Sequence, residues 1–305
     1  MTSQQITVSI IGLDTSHSVE FARRMQAPDC PLDQKVAGMQ VTSCLRFATP
    51  FLGEEGLNER QKQLEAWGIL VTTDFDEAAA GCDAIMIEIN DPAYHLEYFR
   101  KCAGLGKPVF LDKPLAGNLE DALEIRRMAE ENNIRVLSCS SLRFVPQLTE
   151  ACAALPRPQF ASVYGCLGRA PAGSSIIWYG VHVFEMLQRA TGPGAVSVTA
   201  FGDDVDVVSI VEYPDGRRGV VEMDETSGVY GGVLRGPESA VPFAADMSRI
   251  YSDQLEQIAG FFRGSGAPAT LRDAVEIIAM MEATEQSLRW RSRVDIESPG
   301  LSMAE

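Results

Sequence analysis

The sequence predicts an α/β protein: an N-terminal Rossmann domain with a doubly wound parallel sheet, then a C-terminal α/β domain with a large, mostly antiparallel open sheet. Two observations support this. Short apolar runs alternate with helical segments over about the first 140 residues, the pattern of repeated βαβ units. Later segments alternate apolar and polar residues across short turns such as Pro214-Asp-Gly216, which is typical of antiparallel pairing.

The elements of the first half follow from local signals. Apolar runs predict strands, and Pro92 and the capping residue Asn118 each begin a helix. The predicted strands are Ile6–Ile11, Gln40–Phe47, Ile69–Thr72, Ala84–Ile89, Val109–Leu111 and Arg135–Ser138. Amphipathic segments between them predict the helices that cover the sheet.

The second half has a different order of elements. Helices are predicted over Pro146–Leu155, Ile176–Thr191, Tyr251–Arg263 and Leu271–Trp290. Strands are predicted over Phe160–Leu167, Val196–Phe201, Val205–Tyr213, Gly219–Met223 and Val229–Leu234. A frayed tail is predicted from Ser298. Consecutive strands predict an antiparallel or mixed sheet with one face covered by helices. We place the domain boundary after residue 140, with no flexible linker.

The composition excludes several classes of function. With 305 residues, the chain is long enough for two domains. Its net charge of −16 argues against nucleic acid or an anionic membrane as a partner. No apolar run approaches the roughly 20 residues that span a bilayer, and no signal peptide is expected. The seven cysteines form no metal-binding spacing, so we expect reduced, mostly buried thiols in a cytoplasmic protein.

The stretch from Lys107 to Ala116 contains the strongest candidate for chemistry. A short apolar strand ends in Asp112 and Lys113, and Pro114 turns the chain away. Ligands of open α/β sheets bind outside the carboxyl ends of strands, so this charged pair is exposed to whatever binds there. The alternative is an ordinary surface pair of Lys and Asp, and the flanking strand and proline favour function.

This stretch resembles the Glu-Lys-Pro motif of the Gfo/Idh/MocA (glucose–fructose oxidoreductase / inositol dehydrogenase) family, although Asp112 is one methylene shorter than the usual Glu. Leu142-Arg-Phe-Val-Pro146 is similar to the segment that opens the family's second domain, and Ala267–Ala274 resembles its C-terminal signature. The resemblance implies a dinucleotide-binding domain over 1–140 and a substrate and oligomerisation domain over 141–305. It also implies NAD or NADP, a small-molecule sugar or polyol substrate, and a homodimer or higher homo-oligomer.

The loop after the first strand is the predicted dinucleotide site. A GxGxxG loop needs its second glycine for the pyrophosphate, but aligned on Gly12 this chain has Asp14 there and His17 at the third glycine. A carboxylate about 4 Å from a phosphate costs on the order of 4 kcal/mol at an effective dielectric of 20. His17, Thr15 and Ser16 could offset that cost. The alternative is that Asp14 and Ser16 only shape the turn and cap the helix.

Further cofactor contacts are predicted after other strands of this sheet. Arg46 follows the second strand, where an arginine is compatible with a 2′-phosphate and so favours NADP over NAD. The alternative is a solvated arginine at the end of a strand. Asn90, His95 and Asp112 are the remaining cofactor candidates, and the resemblance aligns His95 with the family's Thr-Pro-x-x-x-His pattern. A further set of acids could lie along one sheet edge and, with His17 and His95, hold a divalent metal or a cationic ligand: Asp14, Glu88, Asp91 and Asp112. The spacing matches no known metal motif, so separate, hydrogen-bonded surface acids are favoured and no metal is predicted.

The second domain offers candidates for proton transfer. Tyr179-Gly-Val-His182 resembles the family's Asp-x-Gly-x-His segment, with Trp178 in place of the Asp. Hydride leaves carbon only as a proton leaves oxygen, so Lys113, His182 and Tyr179 are the predicted catalytic residues. The alternative for His182 is a core histidine on an apolar helix.

Together these features predict an NAD(P)-dependent oxidoreductase acting on a sugar, polyol or related small hydroxy compound. Two alternatives stay open. One is a divergent homologue without a dinucleotide that performs metal- or acid–base-assisted lyase or hydrolase chemistry, and Asp14 and Trp178 favour it. The other is a catalytically silent ligand-binding protein.

Overall fold

A computed structural model gives the structure of the protein and describes residues 5–296. The chain forms two compact units, and each is built from segments that are separate in sequence. The first holds the described residues up to Gly117, then Leu123–Ser138 and Tyr251–Leu271, and the second holds Asn118–Ala122, Cys139–Ile250 and the described residues from Arg272. The boundary placed at residue 140 lies near one of the points where the chain passes between units.

The first unit is built on a six-stranded sheet in which all paired strands are parallel. Its strands are β1 (Ile6–Ile11), β2 (Met39–Leu45), β3 (Leu70–Thr72), β4 (Ala84–Ile87), β5 (Val109–Leu111) and β6 (Val136–Leu137). Helices α1 (Ser16–Gln26), α2 (Glu54–Ala66), α3 (Phe75–Ala79), α4 (His95–Ala103) and α5 (Leu119–Glu131) and a 3₁₀ turn (Pro92–Tyr94) lie between them in sequence. The predicted doubly wound sheet is confirmed.

The strand order of this sheet is β3-β2-β1-β4-β5-β6. The strand numbers fall from β3 to β1 and then rise from β4 to β6, so the order reverses between β1 and β4. Such a switch point leaves a crevice at the carboxyl ends of the strands. Every residue of β4 and β5 is buried, which explains why these strands are continuous apolar runs. The segments after β1, β4 and β5 therefore emerge side by side at this edge.

Helix α8 (Ile250–Phe262) belongs almost entirely to the first unit, although it lies far along the chain. Arg135 Nη1 donates to the carbonyl oxygen of Phe261 at 2.6 Å, and Arg24 Nε donates to Ser252 Oγ at 3.2 Å. The sequence order alone did not predict this return, because nothing local to α8 specifies its partner.

The second unit is built on a seven-stranded mixed sheet with the order β12-β11-β7-β10-β9-β8-β13. Its strands are β7 (Phe160–Cys166), β8 (Ser197–Gly202), β9 (Asp206–Glu212), β10 (Arg218–Asp224), β11 (Gly231–Arg235), β12 (Ala240–Ala244) and β13 (Val294–Asp295). Its helical segments are a 3₁₀ turn (Ser141–Phe144), α6 (Pro146–Ala154), a π-helical turn (Ile176–Gly180), α7 (Val181–Thr191) and α9 (Leu271–Trp290). All pairs are antiparallel except β7 with β10, as the predicted mostly antiparallel sheet requires.

The sequence did not predict strands β12 and β13. β12 is a short edge strand that contains Pro242, and proline is tolerated at an edge but argues against a strand in a sequence pattern. β13 has two residues, too few for a periodic signal. The tail predicted from Ser298 lies outside the described residues.

Burial agrees with the expectation of mostly buried thiols. Six of the seven cysteines have buried side chains, and Cys166 is half-buried. Among residues 5–296, no helix is long and apolar enough to cross a membrane.

Candidate functional site

Four polar side chains are buried together at the carboxyl edge of the first sheet: His17, Glu88, Asp112 and Lys113, here called the edge cluster. Their exposed fractions are 9%, 0%, 1% and 5%. One ligand atom from each of His17, Glu88 and Asp112 lies within 4.8 Å of the others, and Lys113 interacts electrostatically with both acids. The expectation of separate surface acids is therefore wrong for Glu88 and Asp112, because the strand order brings three loops to one point.

His17 and Asp112 form the closest pair of the edge cluster. Nδ1 of His17 lies 2.7 Å from Oδ2 of Asp112, and Oδ1 of Asp112 accepts a hydrogen bond of 2.8 Å from the backbone N–H of Lys113. The rings of Tyr251 and Phe21 pack against the imidazole, with centroid distances of 5.2 and 5.6 Å. Burial alone would raise the pKa of Asp112, but His17 and Lys113 outweigh it and hold that pKa below its usual value.

Glu88 has the least compensated charge in the edge cluster. Within residues 5–296, neither of its carboxylate oxygens has a hydrogen-bond partner. Burial, and next the negative charge of Asp112, raise the pKa of Glu88 well above its usual value. Burial also lowers the pKa of Lys113, against the opposing effect of Asp112 and Glu88. The cluster thus combines an imidazole, an amine and two carboxyl groups in a buried environment, which suits it to proton transfer or cation binding.

A tight turn after β1 positions His17. Gly12 has a φ of +111°, and a Cβ atom on it would lie 2.3 Å from the carbonyl oxygen of Glu88. Thr15 Oγ1 caps α1 by accepting a hydrogen bond of 3.2 Å from the backbone N–H of His17. Ser18 Oγ donates to the carbonyl oxygen of Gly12 at 3.0 Å. Glycine is therefore required at position 12 both by its conformation and by the close approach of Glu88, which directly follows β4.

We expect Gly12→Ala to lower the free energy of unfolding by about 2–4 kcal/mol, since it adds backbone strain to a steric clash. Urea denaturation measures this loss. The matched control is Gly104→Ala at the end of α4, where φ is −67° and a Cβ atom meets no other atom within 4 Å. This control should change stability by no more than about 1 kcal/mol. Equal effects of the two substitutions would contradict the requirement for glycine at position 12.

Asp14 connects three loops at the same edge. Its Oδ1 accepts a hydrogen bond of 2.9 Å from the backbone N–H of Asn90, and its Oδ2 accepts one of 2.6 Å from Thr49 Oγ1. Arg60 attracts it electrostatically and donates to the carbonyl oxygen of Leu13 at 3.0 Å. Burial raises the pKa of Asp14, although these hydrogen bonds oppose the shift. At the position of the second fingerprint glycine, this chain thus has a buried and well-bonded carboxylate.

Arg46 lines a cavity of about 660 Å³ beside the carboxyl ends of β2 and β3. Its guanidinium donates to Gln61 Oε1 at 2.5 Å and forms an ion pair with Glu54. A phosphate bound by Arg46 would compete with Glu54 for the same guanidinium.

The other predicted cofactor residues have different surroundings. His95 is fully buried, with Nε2 2.8 Å from the carbonyl oxygen of Ile89 and Nδ1 3.3 Å from that of Leu115. These contacts give its ring a structural role, and its predicted cofactor contact stays a prediction. Ser16 is exposed at the first turn of α1, where a helix N-terminus favours anions.

The second unit contains a separate polar group, Ser140, Tyr179, His182 and Tyr230. Ser140 Oγ lies 2.6 Å from Nδ1 of His182, and the ring of Tyr179 meets the imidazole edge-on at 5.0 Å. Burial raises the pKa of Tyr179, which is hydrogen-bonded to Tyr230. Tyr179 lies on the π-helical turn that leads into α7, and such turns are frequent at functional sites. Two predicted catalytic residues, Tyr179 and His182, are therefore neighbours.

A buried ion pair between Arg143 and Glu185 supports this polar group. Arg143 Nη1 donates to Oε2 of Glu185 at 2.9 Å, and Oε1 of Glu185 accepts a hydrogen bond of 3.1 Å from the backbone N–H of Ser140. The side chains of Arg143 and Glu185 are only 7% and 3% exposed. The pair thus fixes the backbone at Ser140 and, through it, the orientation of His182.

Sequence reasoning missed Thr49, Ser140, Tyr230 and Tyr251 as site residues. Tyr251 reaches His17 from the far end of the chain, and no local pattern signals such a contact. The sequence did indicate Glu88, because an acid directly after a buried apolar strand is costly to bury unless it is paired or binds a ligand.

Comparison with known proteins agrees with this architecture. Residues 53–139 match the sequence model of GFO_IDH_MocA, described as an oxidoreductase family with an NAD-binding Rossmann fold. The scyllo-inositol dehydrogenase of Lactobacillus casei has a similar structure, with a TM-score of 0.81, 14% identity, and coverage of 98% of this chain and 100% of that chain. GenD2 from gentamicin A biosynthesis, solved in complex with NAD, gives a TM-score of 0.80 at 16% identity, with 98% of each chain covered.

A third similar structure is a myo-inositol dehydrogenase from Corynebacterium glutamicum ATCC 13032, with a TM-score of 0.77, 14% identity, and coverage of 96% of this chain and 99% of that chain. At such identities a structural likeness shows the fold alone. The matched segment 53–139 contains Asp112 and Lys113, whose motif resembled this family from sequence. The match to this segment thus agrees with the resemblance to the Gfo/Idh/MocA family and with the predicted oxidoreductase class.

Proposed function

We propose that the protein is an NAD(P)-dependent dehydrogenase or reductase that transfers hydride between the nicotinamide and a carbon bearing a hydroxyl group of a sugar, polyol or related small molecule. The placement of Lys113 carries the proposal. This residue follows β5 and lies in the edge cluster, beside the crevice where open α/β sheets bind ligands. The family match and the similar structures of two inositol dehydrogenases support it.

In the proposed reaction, each side chain has a defined task. Lys113 orients the substrate oxygen and exchanges a proton with it while hydride moves between carbon and nicotinamide. His182 and Tyr179, whose rings are neighbours within the second unit, are the other proposed proton-transfer groups. Nicotinamide supplies the hydride chemistry when it is bound, and the protein contributes binding, orientation and proton transfer.

The cofactor is proposed to be NAD or NADP, bound by the loop Gly12–His17 with contributions from Asn90, His95 and Asp112. Arg46 is the candidate for recognising a 2′-phosphate, and the cavity that it lines supports this. An NADP preference requires Arg46 to exchange its partner Glu54 for the phosphate.

The test is an activity screen. The full chain is incubated with NAD or NADP and a panel of inositols, aldoses and sugar acids, and formation of reduced nicotinamide is followed by absorbance. We expect turnover of at least one hydroxy compound in the panel. Lyase or hydrolase turnover of the same panel without nicotinamide would contradict the proposal.

Asp14 gives a prediction for cofactor affinity. If the pyrophosphate lies at the start of α1, Asp14→Asn removes a nearby negative charge and should tighten dinucleotide binding by about tenfold, equivalent to about 1.4 kcal/mol. Isothermal titration calorimetry measures the change. Asp29→Asn is the control, because Asp29 is an exposed acid beyond the other end of α1. Unchanged affinity in Asp14→Asn would show that no phosphate lies beside this residue.

We also propose a cytoplasmic homodimer or higher homo-oligomer that associates through the outer face of the second sheet. Tyr164, Glu222, Val208 and Phe201 form one row across four neighbouring strands of this face. The three apolar members of the row are 37%, 39% and 60% exposed for Tyr164, Val208 and Phe201. An exposed apolar row of this kind supports association.

A further inference from the structure

We propose that the edge cluster binds a divalent transition-metal ion through His17, Glu88 and Asp112. A ligand atom from each lies within 4.8 Å of the other two, and all three side chains are buried. One imidazole nitrogen with two carboxylate oxygens is a donor set that suits Zn²⁺ or Mn²⁺ better than Mg²⁺, which prefers oxygen ligands and retains water. The proposal does not depend on the hydride transfer described above.

The state of Glu88 is independent evidence for a ligand. Both of its oxygens are buried with no hydrogen-bond partner among residues 5–296. Burying a carboxyl group without partners is costly, and native proteins pair such groups or use them to coordinate a metal. A cation between Glu88, Asp112 and His17 would supply a direct partner for the Glu88 oxygens, which no hydrogen-bond donor among residues 5–296 provides.

The other two ligands lie close together. His17 Nδ1 and Asp112 Oδ2 are 2.7 Å apart, a hydrogen-bond distance. Two ligand atoms that each lie about 2.0–2.2 Å from one ion in a tetrahedral site are separated by about 3.3–3.6 Å, so an ion would replace this hydrogen bond and move the two atoms apart by about 0.6–0.9 Å. The rings of Phe21 and Tyr251 hold the imidazole, and the backbone N–H of Lys113 holds Oδ1 of Asp112, so both ligands are oriented before an ion binds.

Charge balance identifies Lys113 as a competitor of the metal ion for the two acids. A neutral imidazole and two carboxylates carry a total charge of −2, which a divalent ion neutralises. Lys113 also interacts electrostatically with Asp112 and Glu88, so its ammonium group and the ion compete for the same two acids. Three protein ligands leave one tetrahedral position open, as in catalytic rather than structural zinc sites, so the ion could polarise a substrate oxygen.

The test is isothermal titration calorimetry of the full chain after treatment with a chelator, using ZnCl₂, MnCl₂ and MgCl₂ separately. We expect one equivalent of Zn²⁺ or Mn²⁺ per chain, and weaker binding of Mg²⁺. Glu88→Gln and His17→Gln should each weaken binding by at least about 100-fold, because loss of a group that merely supports a ligand already costs roughly 10–100-fold. Lys113→Met should strengthen binding by about tenfold, since it removes the competing charge.

Glu276→Gln is the matched control. Glu276 is also a buried glutamate, but its Oε1 accepts hydrogen bonds from the backbone N–H groups of Gly194 and Ala195, so its substitution should leave metal affinity unchanged. Circular dichroism verifies that each variant folds. If Glu88→Gln does not fold, Lys113→Met still tests the site, because it should strengthen metal binding rather than weaken it. Absence of saturable binding, or equal affinity in Glu88→Gln and the wild type, would overturn the proposal. Anomalous diffraction from a Zn²⁺-soaked crystal should place the ion between the three ligands, and an ion found elsewhere would overturn it as well.

Discussion

Replacing Lys113 with methionine should lower kcat for oxidation of the hydroxy substrate by about 10²–10⁴-fold, the usual contribution of a positioned acid or base. Methionine retains much of the length and apolar volume of the lysine side chain but cannot exchange a proton. The dinucleotide should still bind, because its proposed contacts lie in the loop Gly12–His17. Steady-state kinetics with the substrate found in the activity screen, together with calorimetric titration of the dinucleotide, measure both quantities.

Lys107→Met is the matched control for this substitution. Lys107 is a half-buried lysine that precedes β5, whereas Lys113 follows the same strand at the edge where the cluster lies. The control should retain kcat within a few-fold. If Lys113→Met changed KM alone and left kcat intact, Lys113 would contribute only uniform binding, and its assigned role in proton transfer would be wrong.

Replacing Arg143 with methionine should lower the free energy of unfolding by about 3–5 kcal/mol, because it leaves Glu185 as a buried charge without its partner. Chemical denaturation of the wild type and the variant measures this loss. The double substitution of Arg143 and Glu185 by methionine should recover most of the lost stability, since it removes the unpaired charge as well.

The matched control is Arg169→Met. Arg169 and Glu225 form an ion pair of 3.0 Å, close to the 2.9 Å of the buried pair, but the side chain of Arg169 is 75% exposed. Exposed pairs contribute at most about 1 kcal/mol. If Arg143→Met cost no more than Arg169→Met, Glu185 would be stable without its partner, and the pair would not be what fixes the backbone at Ser140.

Much of the fold could be predicted because the signals that specify it are local. The runs of β4 and β5 are buried, continuous and apolar, and a chain that alternates such runs with amphipathic helices has few alternatives to a parallel sheet. Prediction failed where a signal was short or contradictory. Pro242 masked an edge strand, and the two residues of β13 carried no pattern.

The candidate site was predictable only in part. Parallel strands bring their carboxyl ends to one edge, so the positions of Asp112 and Lys113 could be anticipated from β5 alone. The pairing of His17 with Asp112 depends on the register of β1, β4 and β5, which the sequence does not encode locally. The contact from Tyr251 depends on the return of α8 to the first unit. Burial also reversed the expected character of the acids, from solvated surface groups to a shielded cluster.

Calorimetric titration of the full chain with NAD and with NADP tests the central claim, that the edge of the first sheet binds a dinucleotide, most directly. We predict saturable binding of one molecule per chain for at least one of the two, with a dissociation constant of about 1 μM to 1 mM, the range that is usual for KM values of enzymes. The claim would be contradicted if neither dinucleotide gave a heat of binding at concentrations up to several times that range, while the protein in the calorimeter was folded.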